Sequence, residues 1–257
     1  MMDLVAAPLS GRVVLVTGAS SGIGRAIALA AARAGAHVAL TYRTNEPGAR
    51  EVAGEVEAIG RQAAVFQVDL ADESSVRALG PAARGALGRL DVWVNNAGAD
   101  ILTGPGASLG VREKLDLLLA VDLRGTILAS WHAAEVLAAE ERGGVIINMS
   151  WDHVLTGMPG RNPELFAAVK GGVLAFSKSL ARTVAPRVRV NVIAPGWIET
   201  SFAVGMPDER RREVAESVPL QRWGTPDDVA GAAVFLASPA AAFLTGQTIL
   251  VGGGVVM

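Results

Sequence analysis

The feature that most constrains this chain is an alternation. Short runs rich in Val, Ile and Leu are separated by longer Ala-rich stretches of helical period, and the pattern repeats from end to end. It predicts strands at residues 12–17, 37–42, 63–68, 91–95, 145–150, 187–193 and 247–251. It predicts helices at 22–34, 49–59, 73–87, 108–120, 123–139, 164–184 and 226–236, with a charged helical stretch at 200–217. Gly35 and Gly60 stand at helix stops, where a left-handed residue is needed. Repeated β-α units imply right-handed crossovers, so the expected fold class is α/β: a doubly wound, Rossmann-type parallel sheet of seven strands flanked by helices. The 257 residues suffice for one large domain, 1–257, and no linker or solenoid repeat divides them. Aromatic residues make up only 5% of the chain, so Ala, Val, Leu and Ile must build the core.

Composition removes several classes of function. The chain is 51% hydrophobic and 19% charged, which is globular. A net charge of −2 argues against a nucleic-acid partner or a basic membrane surface. The absence of cysteine excludes disulfides, thiolate metal sites and cysteine nucleophiles. No histidine pair has ligand spacing, so no metal site is expected. Met1-Met2-Asp3-Leu4 carries an acid where a secretory signal carries bases, and no apolar run reaches membrane-spanning length. The expectation is a soluble, cytoplasmic protein that acts on a small molecule.

Thr17-Gly18-Ala19-Ser20-Ser21-Gly22-Ile23-Gly24 follows the first strand and opens the first helix. Gly18 allows a tight turn, Gly22 lets the backbone approach a pyrophosphate, and Gly24 permits close helix–strand packing. The helix N-terminus presents free amides and a partial positive charge to phosphate oxygens. The spacing is Gly-x-x-x-Gly-x-Gly rather than the commoner dinucleotide fingerprint.

Together with Asn95-Asn96-Ala97-Gly98 after the fourth strand, this loop resembles the short-chain dehydrogenase/reductase family. Further matches are Val68-Asp69-Leu70, Asn191-Val192-Ile193-Ala194-Pro195-Gly196 and Leu244-Thr245-Gly246-Gln247, so the resemblance covers essentially the whole chain. It looks closest to the compact subclass of β-ketoacyl carrier-protein reductases and glucose dehydrogenases. The resemblance implies a nicotinamide cofactor, with Ser20, Ser21 and Ile23 on the phosphate loop and Asp69 and Leu70 flanking the adenine. It implies Asn96, Ala97 and Gly98 along the riboses, and Pro195, Gly196, Ile198 and Thr200 on the carboxamide and pyrophosphate side. The second strand ends Tyr42-Arg43-Thr44, with no acid to bind a ribose hydroxyl. Arg43 pairs with a 2′-phosphate or is merely solvated; with Ser20 across the same pocket, NADP(H) is favoured over NAD(H). The resemblance also implies a substrate lid at about 197–224 and a homotetramer, or a homodimer, built on the helices at 123–139 and 164–184. Arg210, Arg211 and Arg212 read as a salt-bridge-laced face of the lid.

The family's reaction centre needs a tyrosine four residues before a lysine, a serine and an asparagine. Here the stretch is Phe166-Ala167-Ala168-Val169-Lys170, and the one tyrosine of the chain, Tyr42, lies elsewhere. Phe166 cannot donate a proton to the alkoxide that hydride addition creates. At the serine the strand ends Met149-Ser150-Trp151. Register puts Trp151 in the family's serine place, whereas counting back from Phe166 puts His153 there. The asparagine place holds Asp122. The candidate catalytic residues are therefore Lys170, Ser150, Asp152, His153 and Asp122. Asp152 and His153 are an alternative acid or base at the carboxyl end of a strand. The plainer readings are a structural His153, a Trp151 that forms a substrate wall, a Phe166 that fills space, and an Asp122 paired with Lys170 or Arg124. Three functions follow: an oxidoreductase for an activated carbonyl, enone or imine; a catalytically silent NADP(H) sensor; or a non-redox lyase, isomerase or cyclase.

Overall fold

A computed structural model describes residues 7–257, so the reading of Met1-Met2-Asp3-Leu4 lies outside the described residues. Seven strands form one sheet: β1 (Val13–Val16), β2 (His37–Tyr42), β3 (Ala63–Gln67), β4 (Val92–Asn95), β5 (Gly144–Met149), β6 (Val188–Pro195) and β7 (Thr248–Val251). Their order is β3-β2-β1-β4-β5-β6-β7 and every pairing is parallel. β1 and β4 are buried along their whole length, because helices cover both faces of the sheet. The strand order reverses between β1 and β4, so the crevice at their carboxyl ends is the switch point where such sheets take ligands.

The helices are α1 (Gly22–Arg33), α2 (Glu46–Ala58), α3 (Glu73–Leu87), α4 (Gly104–Ala107), α5 (Val111–Leu118), α6 (Thr126–Ala138), α7 (Arg161–Val184), α8 (Ser201–Val204), α9 (Asp208–Ser217) and α10 (Pro226–Ala237). Ile27 of α1, Val52 of α2 and Val229 of α10 belong to the core on one face of the sheet. Val76 of α3, Leu128 of α6 and Leu180 of α7 belong to the core on the other. Among the described residues, no helix is long and apolar enough to cross a membrane.

Three departures from the expected elements have local causes. α2 begins three residues early, because the Asn45 side chain accepts from the Gly48 amide at 3.1 Å and Pro47 suits the first turn. The expected break near residue 121 is absent. One helical run continues from α5 into α6 through a wide π-helical turn, Leu119–Gly125. Gly125 lets this turn close on β3's exit, since a Cβ there would lie 2.7 Å from the Leu70 carbonyl oxygen. The stretch 200–217 divides into α8 and α9 at Met206-Pro207, because a residue before proline disfavours helical geometry.

Candidate functional site

Two hollows meet at the switch point. The first is a groove of about 840 Å³ that runs from the phosphate loop past the end of β2 to α7. Gly18 and Gly22 both take positive φ, at +65° and +55°. Gly24 cannot carry a side chain, because its Cβ would collide with the Gly18 carbonyl oxygen. Asn96 fastens the loop from beneath, donating from Nδ2 to the carbonyls of Thr17 at 3.0 Å and Gly18 at 3.2 Å. The Thr17 hydroxyl in turn accepts from the amides of Asn96 and Ala97 at 2.9 and 3.0 Å. Ser21, the N-cap of α1, leaves the first amides of that helix without a side-chain acceptor. A cradle with no room for a Cβ and an uncapped helix start fits a pyrophosphate.

Ser20, Ser21, Ile23, Tyr42, Arg43, Asp69, Leu70, Asn96, Ala97 and Gly98 all line this groove. Gly22 shapes the turn without lining it. Arg43 forms no ion pair among the described residues, and only its carbonyl is engaged, by Gln67 at 3.0 Å. Among the described residues, no group of three or more His, Asp or Glu side chains is arranged to hold a metal ion.

The second hollow, of about 440 Å³, opens beside α7. Pro195, Gly196 and Ile198 line it rather than the groove, and Thr200 lines both. Its walls are mostly apolar: Trp151, Phe166, Trp197, Phe202, Met149 and Met158 among them. Trp151 and Phe166 pack with ring centroids 6.3 Å apart, as do Trp197 and Phe202. Asn162, Met158, Leu102 and Phe202 went unnoticed in the sequence. Leu102 and Met158 come from loops, Asn162 from the first turn of α7 and Phe202 from the 197–224 segment, where no periodicity marks which side chain turns inward.

Lys170 stands where the two hollows join. Its ammonium is 2.9 Å from Asp122 Oδ2 and 3.5 Å from the Met149 carbonyl, and both charged side chains are nearly buried. Asp122 Oδ1 accepts from the Ala99 amide at 2.8 Å, and Gly98 leaves room for the carboxylate, since a Cβ there would lie 2.8 Å from Oδ2. The π-helical turn carries Asp122 to this position. Of its two expected partners Asp122 takes Lys170, and Arg124 pairs with Glu73 at 3.0 Å. The Ser150 hydroxyl donates to the Lys170 carbonyl at 2.8 Å, tying β5 to α7.

Asp152 and His153 are placed differently from their neighbours. Both are buried, and neither lines the second hollow. Trp151 turns to the cavity and His153 lies behind it. The His153 ring stacks on Trp151 at 4.9 Å and meets the edge of Trp197 at 6.2 Å. Asp152 Oδ1 accepts from the His153 amide at 2.7 Å and lies 2.6 Å from the ring Nδ1. Asp152 Oδ2 has no partner among the described residues and sits against Gly196 and Gly252, where any Cβ would strike it. Burial pushes the Asp152 carboxyl up, and the His153 hydrogen bond opposes that.

The 197–224 segment folds back on itself. Ile198 bridges Gly224, and Ala203, Val214 and Trp223 form a small core of their own. Arg210 pairs with Glu213 at 2.7 Å and Arg211 with Glu199 at 2.8 Å.

The family profile described as Enoyl-(Acyl carrier protein) reductase matches residues 18–256. The chain is 37% identical over 245 residues to a 3-oxoacyl-(acyl-carrier-protein) reductase of Staphylococcus aureus (strain Mu50), covering 95% of this chain and 97% of that protein. The chain belongs to the short-chain dehydrogenase/reductase family. Another relative, 3beta-hydroxysteroid dehydrogenase 1 of Eggerthella lenta, is 37% identical over 252 residues, with 97% of this chain and 95% of that one covered. A crystal structure of a short-chain dehydrogenase from Burkholderia cenocepacia in complex with NADP matches with TM-score 0.85 and 35% identity, over 96% of this chain and 99% of that one. Within this short-chain dehydrogenase/reductase, Phe166 and Lys170 lie one helical turn apart on α7, and both line the junction. The chain's sole tyrosine, Tyr42, lies at the end of β2.

Proposed function

We propose that this chain is an NADP(H)-binding oxidoreductase with a non-standard reaction centre, acting on an activated carbonyl, enone or imine. The observation that carries the reading is the junction itself. Lys170, Phe166, Asn96 and Thr200 line both the dinucleotide groove and the apolar cavity, so a group held in one faces a molecule held in the other. A bound nicotinamide would supply or accept the hydride there. Ser20, Ser21 and the α1 amides hold phosphates, Asp69 and Leu70 flank the base, and the unpaired Arg43 supports a 2′-phosphate. Lys170, fixed by Asp122, offers an ammonium to the ribose side of the junction.

The residues at the reacting end favour a substrate that needs little acid catalysis. Phe166 and Trp151 occupy the wall where the family carries its tyrosine and serine. Ser150 spends its hydrogen on the Lys170 carbonyl, and Lys170 is engaged by Asp122. His153 acts through Trp151, on whose ring it stacks, Asp152 acts through His153, and Asp122 acts through Lys170. The 197–224 segment closes the cavity as a lid, with Trp197 and Phe202 on its inner side. Assembly into a homotetramer or homodimer through α6 and α7 fits the half-exposed Trp131, whose ring packs on Phe176 at 6.2 Å, and light scattering checks it.

A silent NADP(H) sensor is the second reading, favoured by the ion pairing of Lys170 and the engagement of the Ser150 hydroxyl near Phe166. One experiment separates the two. NADPH and NADH are titrated by fluorescence, and oxidation of NADPH is then followed against a carbonyl, enone and imine panel. Tight NADPH binding with turnover is expected. Binding without turnover supports the sensor or a non-redox enzyme, and no binding of either nucleotide overturns the proposal.

A further inference from the structure

We infer that the substrate is a preformed iminium cation carried on an apolar ring system, held by the aromatic wall of the second cavity. This rests on the oxidoreductase reading above and narrows it to one chemical class.

Two independent observations converge. The first is the wall. Four of the seventeen residues that line the cavity are aromatic, in a chain that is only 5% aromatic. Trp151 is buttressed from behind by the stacked His153, and Trp197 by the edge of Trp223 at 5.5 Å. Such buttressing fixes the ring faces instead of leaving them to adapt. Ring faces carry negative quadrupole density and attract a desolvated cation. The one charged lining residue, Lys170, has its charge matched by Asp122 at 2.9 Å, so it does not leave the cavity positive.

The second is the proton inventory. Hydride addition to a ketone leaves an oxyanion that must be protonated or bound in place. The cavity's polar lining is Asn96, Ser150, Asn162, Lys170 and Thr200. The amides are not acids, a lone threonine hydroxyl is too weak an acid, the Ser150 hydrogen already has an acceptor, and Lys170 is held in an ion pair by Asp122 at 2.9 Å with the Met149 carbonyl 3.5 Å away. An iminium makes no such demand. Its carbon gains a C–H bond from a dihydronicotinamide, the C=N π pair becomes the nitrogen lone pair, and the nicotinamide leaves as the oxidised cation. The product is a neutral amine, no proton is needed, and atoms and electrons balance. An aromatic cavity whose one acid is an ion-paired lysine is thus matched to an electrophile that arrives charged and leaves neutral.

The test reads binding first, without nucleotide, so that it fails separately from the cofactor reading. Calorimetry compares N,N-dimethyltetrahydroisoquinolinium, which cannot be reduced, with the neutral dimethyltetralin of the same shape. The cation is expected to bind about tenfold more tightly, as one buttressed cation–π contact supplies. Trp151→Leu should remove that preference and Trp151→Phe should keep most of it. A neutral isostere that binds as tightly as the cation overturns the inference, as does a preference that survives in Trp151→Leu. Should the leucine variant not fold, the ratio for the unmodified chain and for Trp151→Phe decides. In a second arm, with NADPH, N-methyldihydroisoquinolinium should be reduced on the order of 10² times faster than the matching tetralone. Equal rates overturn the inference while leaving the oxidoreductase standing.

Discussion

The Asp122–Lys170 pair gives the sharpest test of how this site is held together. At 2.9 Å the attraction between the two charges is about 6 kcal/mol with an effective permittivity of about 20. Most of that is offset by desolvation, since only 12% of the lysine side chain and 2% of the aspartate side chain are exposed. The pair as a whole therefore adds little stability, yet either charge alone is costly. Asp122→Asn keeps the acceptor for the Ala99 amide and removes only the charge, stranding the ammonium. Lys170→Met keeps the apolar stem and strands the carboxylate. Each single change should cost about 3 kcal/mol, the lower end for breaking a buried pair. In a domain of this size that lowers Tm by roughly 6–12 °C. The double variant should lose far less than the sum, giving a coupling of about 2–3 kcal/mol. Urea denaturation of all four proteins at one pH and one protein concentration measures the cycle. Additive losses would refute the reasoning, because they would mean that each group is solvated and indifferent to the other.

Three further outcomes are expected. Arg43→Asp should weaken NADPH binding by roughly ten- to a hundredfold and spare NADH, since it removes one charge-assisted phosphate contact and adds a repulsion; fluorescence titration of both nucleotides checks it. Phe166→Tyr should raise NADPH-dependent reduction of simple ketones by on the order of 10², by placing a proton donor one turn from Lys170; an unchanged ketone rate would show that the missing acid is not what limits the site. Asp152→Asn should reveal a pH effect. Burial raises the folded-state Asp152 carboxyl above its ordinary 3.8, so its contribution to stability is full below that value and is lost as pH rises through the raised one. The unmodified protein should therefore lose ground to Asp152→Asn in urea midpoints as pH rises from about 4 through the raised value, and a constant gap would contradict the assignment.

The sheet was legible because its strands are buried on both faces, so runs such as Val13–Val16 and Val92–Asn95 read as continuous apolar segments. The groove was legible because phosphate binding fixes glycines at set spacings in one short loop. What escaped was non-local. The π-helical turn that swings Asp122 onto Lys170 has no distinctive residues; it is set by the close approach of Gly125 to β3's exit. Trp151, Asp152 and His153 are consecutive as β5 ends, and sequence position alone cannot say which of three successive side chains turns to the cavity. The structure gives that direction to Trp151 and buries the pair that looked more reactive. The cavity wall is assembled from α1, the loop after β4, the end of β5 and the loop beyond it, α7 and the segment after β6, and no window of sequence contains it.

The wall shared by the groove and the cavity has a consequence for how ligands sort themselves. Seven residues, Lys170 and Phe166 among them, face both compartments. Whatever factor occupancy of the groove applies to affinity in the cavity, occupancy of the cavity must return to the groove, since the two are sides of one thermodynamic cycle. A molecule that binds in the cavity and is coupled to the groove will therefore declare itself as a change in nucleotide affinity, even if it is never transformed. Unknown substrates can be sought by that shift alone, before any reaction has been seen.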